Sequence, residues 1–305
     1  MKQHILDDLI ASVKRQNLQI KQVVIRQDGD VIATYDFDKV KPRHIQSVSK
    51  AFTAMAVGIA EDEGLLTLND KVADYFPEMP KPHMNNHLRA MTIHHLLCMG
   101  TGHGECPVKK HDWKKDSHVD IAKLFFAEQV VHAPGTRFMY NNAATYMLSR
   151  IITKVTGESM KDYMDIKLFK PLCMQSISWK LCPMGYTLGF AGLFMDADAL
   201  SRFGQVLLDE GVWEGRRLVP QDFIRRASAV QIATTLDAKE SGSDAGYGYQ
   251  IWVNDIPGTY RMEGRYGQYV VILPKKRAVV VYLSEEMDTD IDVLECTLDT
   301  WMDKL

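Results

Sequence analysis

Cysteine is scarce: the five in this 305-residue chain, at 98, 106, 173, 182 and 296, are an odd and scattered set. That excludes a disulfide-stapled secreted scaffold in a chain long enough to build its own core. No apolar run approaches the length needed to cross a bilayer. Positive charge is not in excess either, since the net charge is −3. Lys109, Lys110, Lys114 and Lys115 cluster among His and Asp and do not form a long basic stripe with interleaved aromatics, so they read as a solvated loop and nucleic acid is not an expected partner. Met1 to Asn17 mixes Lys2, Asp7, Asp8, Lys14 and Arg15 with Ile5, Leu6, Leu9, Ile10 and Val13. It lacks the uncharged stretch of a signal peptide and predicts an amphipathic helix lying on a domain, with a cytoplasmic location as the expectation. Internal repeats, low-complexity tracts and a Gly-x-Ser-x-Gly elbow are all missing, and the last absence argues against an α/β-hydrolase.

Among the residues present, Ser47-Val48-Ser49-Lys50 is the most informative. Residues three apart on a helix share a face, so the Lys50 amine can reach the Ser47 hydroxyl without help from the rest of the fold. Ala51, Ala54, Met55, Gly58 and Ile59 follow at the spacing of an apolar helical stripe. Burial of that stripe draws Lys50 out of water, lowers its pKa and lets it accept a proton.

The chain ends are rich in β signals. Lys21 to Tyr35 reads as a hairpin around Asp28-Gly29, and Tyr247 to Val253, Gln268 to Leu273 and Ala278 to Leu283 read as short strands. Pro274-Lys275-Lys276-Arg277 is too short for anything but an antiparallel return. Ile291, Leu294, Leu298, Trp301, Met302 and Leu305 mark a closing helix. Between the ends the pattern is mostly helical, including Tyr146 to Val155 and Met160 to Phe169. The expectation is an α+β fold. Residues 1–50 and 211–305 form one antiparallel sheet domain flanked by helices, and 51–210 form a mainly helical inserted domain, together one catalytic unit. Thr101 to Val119 is either a lid over a site or a plain surface loop. His95, Cys98, His103 and Cys106 have ligand types that zinc accepts; the alternative is a helix terminus with free thiols, and no metal site is expected.

Tyr140-Asn141-Asn142 follows a Pro134-Gly135 turn and precedes a helix beginning near Ala143. Cationic or polar neighbours can depress a phenol's pKa, in which case Tyr140 takes the Ser47 proton and later activates water. The Asn142 amide can donate to a substrate carbonyl and hold Lys50.

Ser47-x-x-Lys50 with Tyr140-x-Asn142 about ninety residues on resembles the serine β-lactamase and penicillin-binding-protein superfamily, in its class C β-lactamase and esterase branch. Gly64 to Val72, Thr92 to Leu97, Pro134-Gly135-Thr136, Gly192-Leu193-Phe194, Asp198 to Pro220 and Tyr247-Gly248-Tyr249 carry the resemblance across about residues 20 to 285. It implies a β-lactamase/transpeptidase-like fold, Ser47 as acylated nucleophile, Lys50 as its proton partner, Tyr140 as general base and Asn142 as anchor. It also implies a third motif, Lys- or His-x-Gly, on the strand edging the site, whose backbone completes the oxyanion hole with the Ser47 amide. Counting back from Gly264-Arg265-Tyr266-Gly267, that motif falls on Thr259-Tyr260-Arg261, with Met262 as backbone donor and Gly264 beside it. Arg261 either meets a substrate carboxylate or faces solvent.

These readings favour a serine hydrolase on a small-molecule ester or amide, needing no metal or organic cofactor, with no nucleic-acid or membrane partner. β-Lactamase or D-amino-acid peptidase activity is the alternative, and a non-catalytic ligand-binding relative the alternative of another class. Oligomeric state is not fixed by the sequence.

Overall fold

The structure is a computed structural model describing residues 2–110, 119–234 and 244–285. The expected closing helix from Ile291 to Leu305, and residues 111–118 of the candidate lid, lie outside the described residues. The helices are α1 (Lys2–Arg15), α2 (Ser49–Asp62), α3 (Asn86–Ala90), α4 (Ile93–Leu97), α5 (Ile121–Ala127), α6 (Asn142–Thr156), α7 (Met160–Met164), α8 (Ala197–Leu208) and α9 (Gln221–Ala227).

The two chain ends meet in one antiparallel sheet. β1 (Ile20–Gln27) and β2 (Asp30–Asp36) form the first hairpin, and Asp28 and Gly29, at φ 54° and 90°, make the two-residue turn whose twist suits it. Three pairs of short strands follow or flank the helical region: β3 (Arg43–His44) and β4 (Ser178–Trp179), both paired to β5 (Leu193–Met195), and β6 (Val212–Trp213) paired to β7 (Arg216–Arg217). The main sheet is completed by β8 (Asp244–Tyr247), β9 (Trp252–Asn254), β10 (Tyr260–Gly264), β11 (Gln268–Leu273) and β12 (Ala278–Ser284). Its order is β2-β1-β12-β11-β10-β9-β8. β11 and β12 are buried along their whole length, which explains their unbroken apolar sequences: both faces of the sheet are covered.

On one face α1 packs Leu6, Leu9 and Val13 against Val23, Ile25, Val271, Val280 and Tyr282. On the other, α8 crosses β1, β11 and β12, although it falls in the 51–210 segment. Gly204 makes that approach possible, since a Cβ there would lie 2.4 Å from Val279 Cγ1. The sheet edge differs from expectation at Tyr247 to Val253, which is not one strand. β8 ends at Tyr247, Gly248 N–H bonds Ile251 O at 2.8 Å, and the chain returns as β9. The cause is tertiary: the Gln250 amide is needed by the Leu96 and Leu97 carbonyls at the end of α4, and Gln250 takes φ 60° to reach them.

α2 runs through the middle of the molecule, with every residue from Ser49 to Ala60 buried, a wider burial than the expected stripe. It packs on α6, α7 and α9. No helix among the described residues is long and apolar enough to cross a membrane.

Candidate active site

Ser47 sits in a single 3-10 turn, Gln46–Val48, that leads directly into α2. Gln46 carries a left-handed φ of 51°, a strain of about 1 kcal/mol for a residue with a Cβ. That conformation swings the chain from β3 into α2 and sets the serine at the helix mouth beside β10.

Lys50, one turn on, places Nζ 2.8 Å from Ser47 Oγ and 2.9 Å from the Phe190 carbonyl oxygen. The ammonium also lies 4.8 Å from the centre of the Tyr140 ring. The side chain is 1% exposed, and burial brings its pKa down to about 7, with the neighbouring Cys106 thiol acting in the opposite direction. A neutral amine so placed keeps one N–H on the Phe190 carbonyl and offers its lone pair to the Ser47 hydroxyl.

Tyr140 also touches Ser47 through a hydrogen bond, but its phenol is not depressed as the sequence suggested. Burial pushes its pKa well up; the bond with Ser47 offsets this only in part, and the Glu263 carboxylate adds to the rise. The lysine charge that was to stabilise a phenolate is itself weakened by burial. The Tyr140 phenol thus keeps its proton at neutral pH, while burial lowers the basicity of Lys50.

Asn142 opens α6, whose cap is the preceding residue: Asn141 Oδ1 accepts the Ala143 N–H at 3.0 Å. Asn142 Oδ1 is buried with no hydrogen-bond partner, so the expected amide grip on Lys50 is not made here. The Phe190 carbonyl takes that place, and sequence reasoning missed it because a backbone oxygen has no side-chain signature. The available signal was Gly189, held at φ 73° between α2 and α6, where a Cβ would come 3.1 Å from Ser149 Cβ. Thr53, three residues beyond Lys50, donates to the Gly189 carbonyl at 3.0 Å and fixes the loop.

On the strand side, Gly264 is the residue lying against the nucleophile: a Cβ there would stand 2.6 Å from Ile45 O and 3.0 Å from Ser47 N. Thr259-Tyr260-Arg261 lies at the opposite end of β10 from that contact. Met262, whose backbone was the expected donor, is 1% exposed with its side chain in the hydrophobic core. Arg261 does not face solvent; it is 0% exposed, and its Nε donates to Glu263 Oε2 at 2.8 Å. It is held within the protein rather than presented to a substrate carboxylate.

The four candidate zinc ligands each have other work. His95 Nδ1 accepts the Thr92 N–H in a capping box, Cys98 points at the His95 carbonyl, His103 bonds Thr101 and Phe125, and Cys106 bonds Asn141. Among the described residues no group of three or more His, Cys, Asp or Glu could hold a metal. Thr101, His103, Cys106 and Val108 are buried, and Cys106 bonds Asn141, so the first part of the candidate lid packs into the protein in this structure.

The family model described as Beta-lactamase matches residues 21–296. The chain belongs to the beta-lactamase family. Within it, the chain is 31% identical over 138 residues to protein flp of Staphylococcus aureus (strain COL), a match covering 45% of this chain and 28% of that protein. Among solved structures it is similar to EstCE1, a hydrolase with promiscuous acyltransferase activity, with a TM-score of 0.80 at 17% identity, covering 97% of this chain and 98% of the other. It is also similar to the penicillin-binding protein of Bacillus halodurans, with a TM-score of 0.77 at 18% identity, covering 96% and 99% of the two chains. The fold is thus that of the family's serine hydrolases, with the large antiparallel sheet and helices of β-lactamases and transpeptidases.

Proposed function

We propose that this protein is a serine hydrolase that forms an acyl-enzyme on Ser47 and acts on an ester or amide of a small molecule, with esters preferred to β-lactams. The observation that carries the reading is the 2.8 Å contact between Ser47 Oγ and a buried Lys50 whose pKa stands near 7. A neutral Lys50 removes the Ser47 proton as Oγ attacks the carbonyl carbon. The Ser47 amide, with the β10 backbone around Gly264, faces the oxyanion that develops. The Tyr140 phenol donates its proton to the leaving group and is recharged from the Lys50 ammonium, after which the same pair deprotonates the water that releases the acyl group. Asn142 supplies an acceptor for a substrate N–H.

Support for an ester comes from the strand: where the resemblance implies Lys or His facing a substrate carboxylate, the β10 segment beside Ser47 is Met262-Glu263-Gly264. The test sets a short p-nitrophenyl ester beside a chromogenic cephalosporin, with a fluorophosphonate probe read by intact mass. Ester turnover and a single adduct, both lost in Ser47→Ala, are expected. Cephalosporin hydrolysis without ester hydrolysis reassigns the protein as a β-lactamase, and a folded protein that takes no adduct is a binding relative.

A further inference from the structure

Beside the Ser47, Lys50 and Tyr140 contacts run β9 and β10 of the main sheet, and their charges are ordered. Arg261 pairs with Trp252 across β9 and β10, so the two side chains leave the same face of the sheet, as does that of Glu263 two residues on. Trp252 in turn stacks on Tyr140, with ring centres 6.0 Å apart at 12°, and Phe138 packs on Trp252 at 5.7 Å. These three aromatics are only half-buried. Arg261 is sealed beneath, its guanidinium 5.6 Å from the Trp252 ring, while the Glu263 side chain keeps 25% exposure. The ion pair is therefore oriented, with its cation buried and its carboxylate partly exposed to solvent. The Glu263 charge reaches the phenols of both Tyr140 and Tyr247, which places it on the nucleophile's side.

On the hydrolase reading above, we propose that Glu263 is a specificity-determining residue, selecting substrates with a cationic, ammonium-type group near the scissile carbonyl and disfavouring those with a carboxylate. A cation gains from the carboxylate and from the neighbouring Phe138 ring; an anion in the same place meets a like charge. Asn142 Oδ1, buried and without a partner, adds an acceptor and no cation.

The experiment compares three p-nitrophenyl esters of similar acyl length: 4-(trimethylammonio)butanoate, which cannot cyclise, neutral hexanoate, and the glutarate monoester. The wild-type protein is expected to favour the cationic over the anionic ester by tenfold or more in kcat/KM. Glu263→Gln is expected to cut the ratio of kcat/KM for the cationic over the neutral ester about tenfold. Glu263→Asp, which keeps the Arg261 partner charged, should preserve the order and serves where the glutamine variant fails to fold. Hexanoate turnover with no charge preference in the wild type overturns this inference and leaves the hydrolase reading standing, as does a preference that persists unchanged in Glu263→Gln. No turnover of any ester together with no fluorophosphonate adduct sinks the hydrolase reading, and this inference with it.

Discussion

Lys50 is the residue at which burial becomes chemistry. Its pKa near 7 predicts that kcat/KM for a neutral ester rises about tenfold per pH unit below pH 7 and levels above it, because only the amine form accepts the Ser47 proton. Lys50→Met should remove that limb and lower kcat by 10²- to 10⁴-fold. Tyr140→Phe separates the two roles: turnover falls, yet the limb near pH 7 stays, since the phenol is protonated throughout this range. A limb that vanished with Tyr140→Phe would return the role of base to the tyrosine. The Ser-x-x-Lys pair was legible because i and i+3 meet on any helix, whatever the fold. The state of Tyr140 was not, because the desolvation that raises it comes from Trp252 and Tyr247, more than a hundred residues away. The partner of Lys50 was hidden for the same reason, being the backbone oxygen of a distant loop.

Two glycines show how elements are brought to working distance. At Gly264 a methyl group would meet Ile45 O at 2.6 Å and Ser47 N at 3.0 Å, both rigid backbone, so β10 or the serine turn must shift. Gly264→Ala is predicted to lower kcat/KM by about 10² or more with the fold retained, since displacements of about 1 Å cost that much in a preorganised site. Near-wild-type turnover would show that the strand edge is not part of the oxyanion site. Gly204→Ala is the contrasting case. Its Cβ would strike Val279 Cγ1 at 2.4 Å between α8 and the sheet, far from the chemistry. Denaturant titration should show a loss of about 1–3 kcal/mol, with kcat/KM unchanged. At this scale the sequence read well where local rules govern. The Asp28-Gly29 hairpin and the tight return through Arg277, at φ 46°, follow from turn chemistry alone. It read less well where a contact overrides a pattern: Tyr247 to Val253 has the composition of a strand, and the demand of the α4 carbonyls for Gln250 breaks it into two.

The whole molecule closes on itself by pairing β1 with β12, so the sheet under the site exists only when both ends of the chain are in place. That union was legible from composition, because two β-rich ends around a helical middle have few ways to bury their apolar faces. Its thermodynamic consequence is that the site is built at the expense of the fold. A lysine whose pKa falls from about 10.5 to about 7 on folding binds its proton in the unfolded chain, and not in the native one, between those pH values. The unfolded state then holds more protons, so stability rises with pH across the window, by up to about 1.4 kcal/mol per unit from this group; below pH 7 both states are charged and the full penalty persists. Lys50→Met removes the titration. The difference in unfolding free energy between wild type and variant should therefore change by about 4–5 kcal/mol from pH 6 to pH 10.5, moving in favour of the wild type as pH rises. Urea titrations of both proteins at four pH values measure it, and the contributions of the other titrating groups cancel in the difference. Parallel stability curves would mean that Lys50 keeps its ordinary basicity in the folded protein, leaving Ser47 without a neutral amine to take its proton at physiological pH.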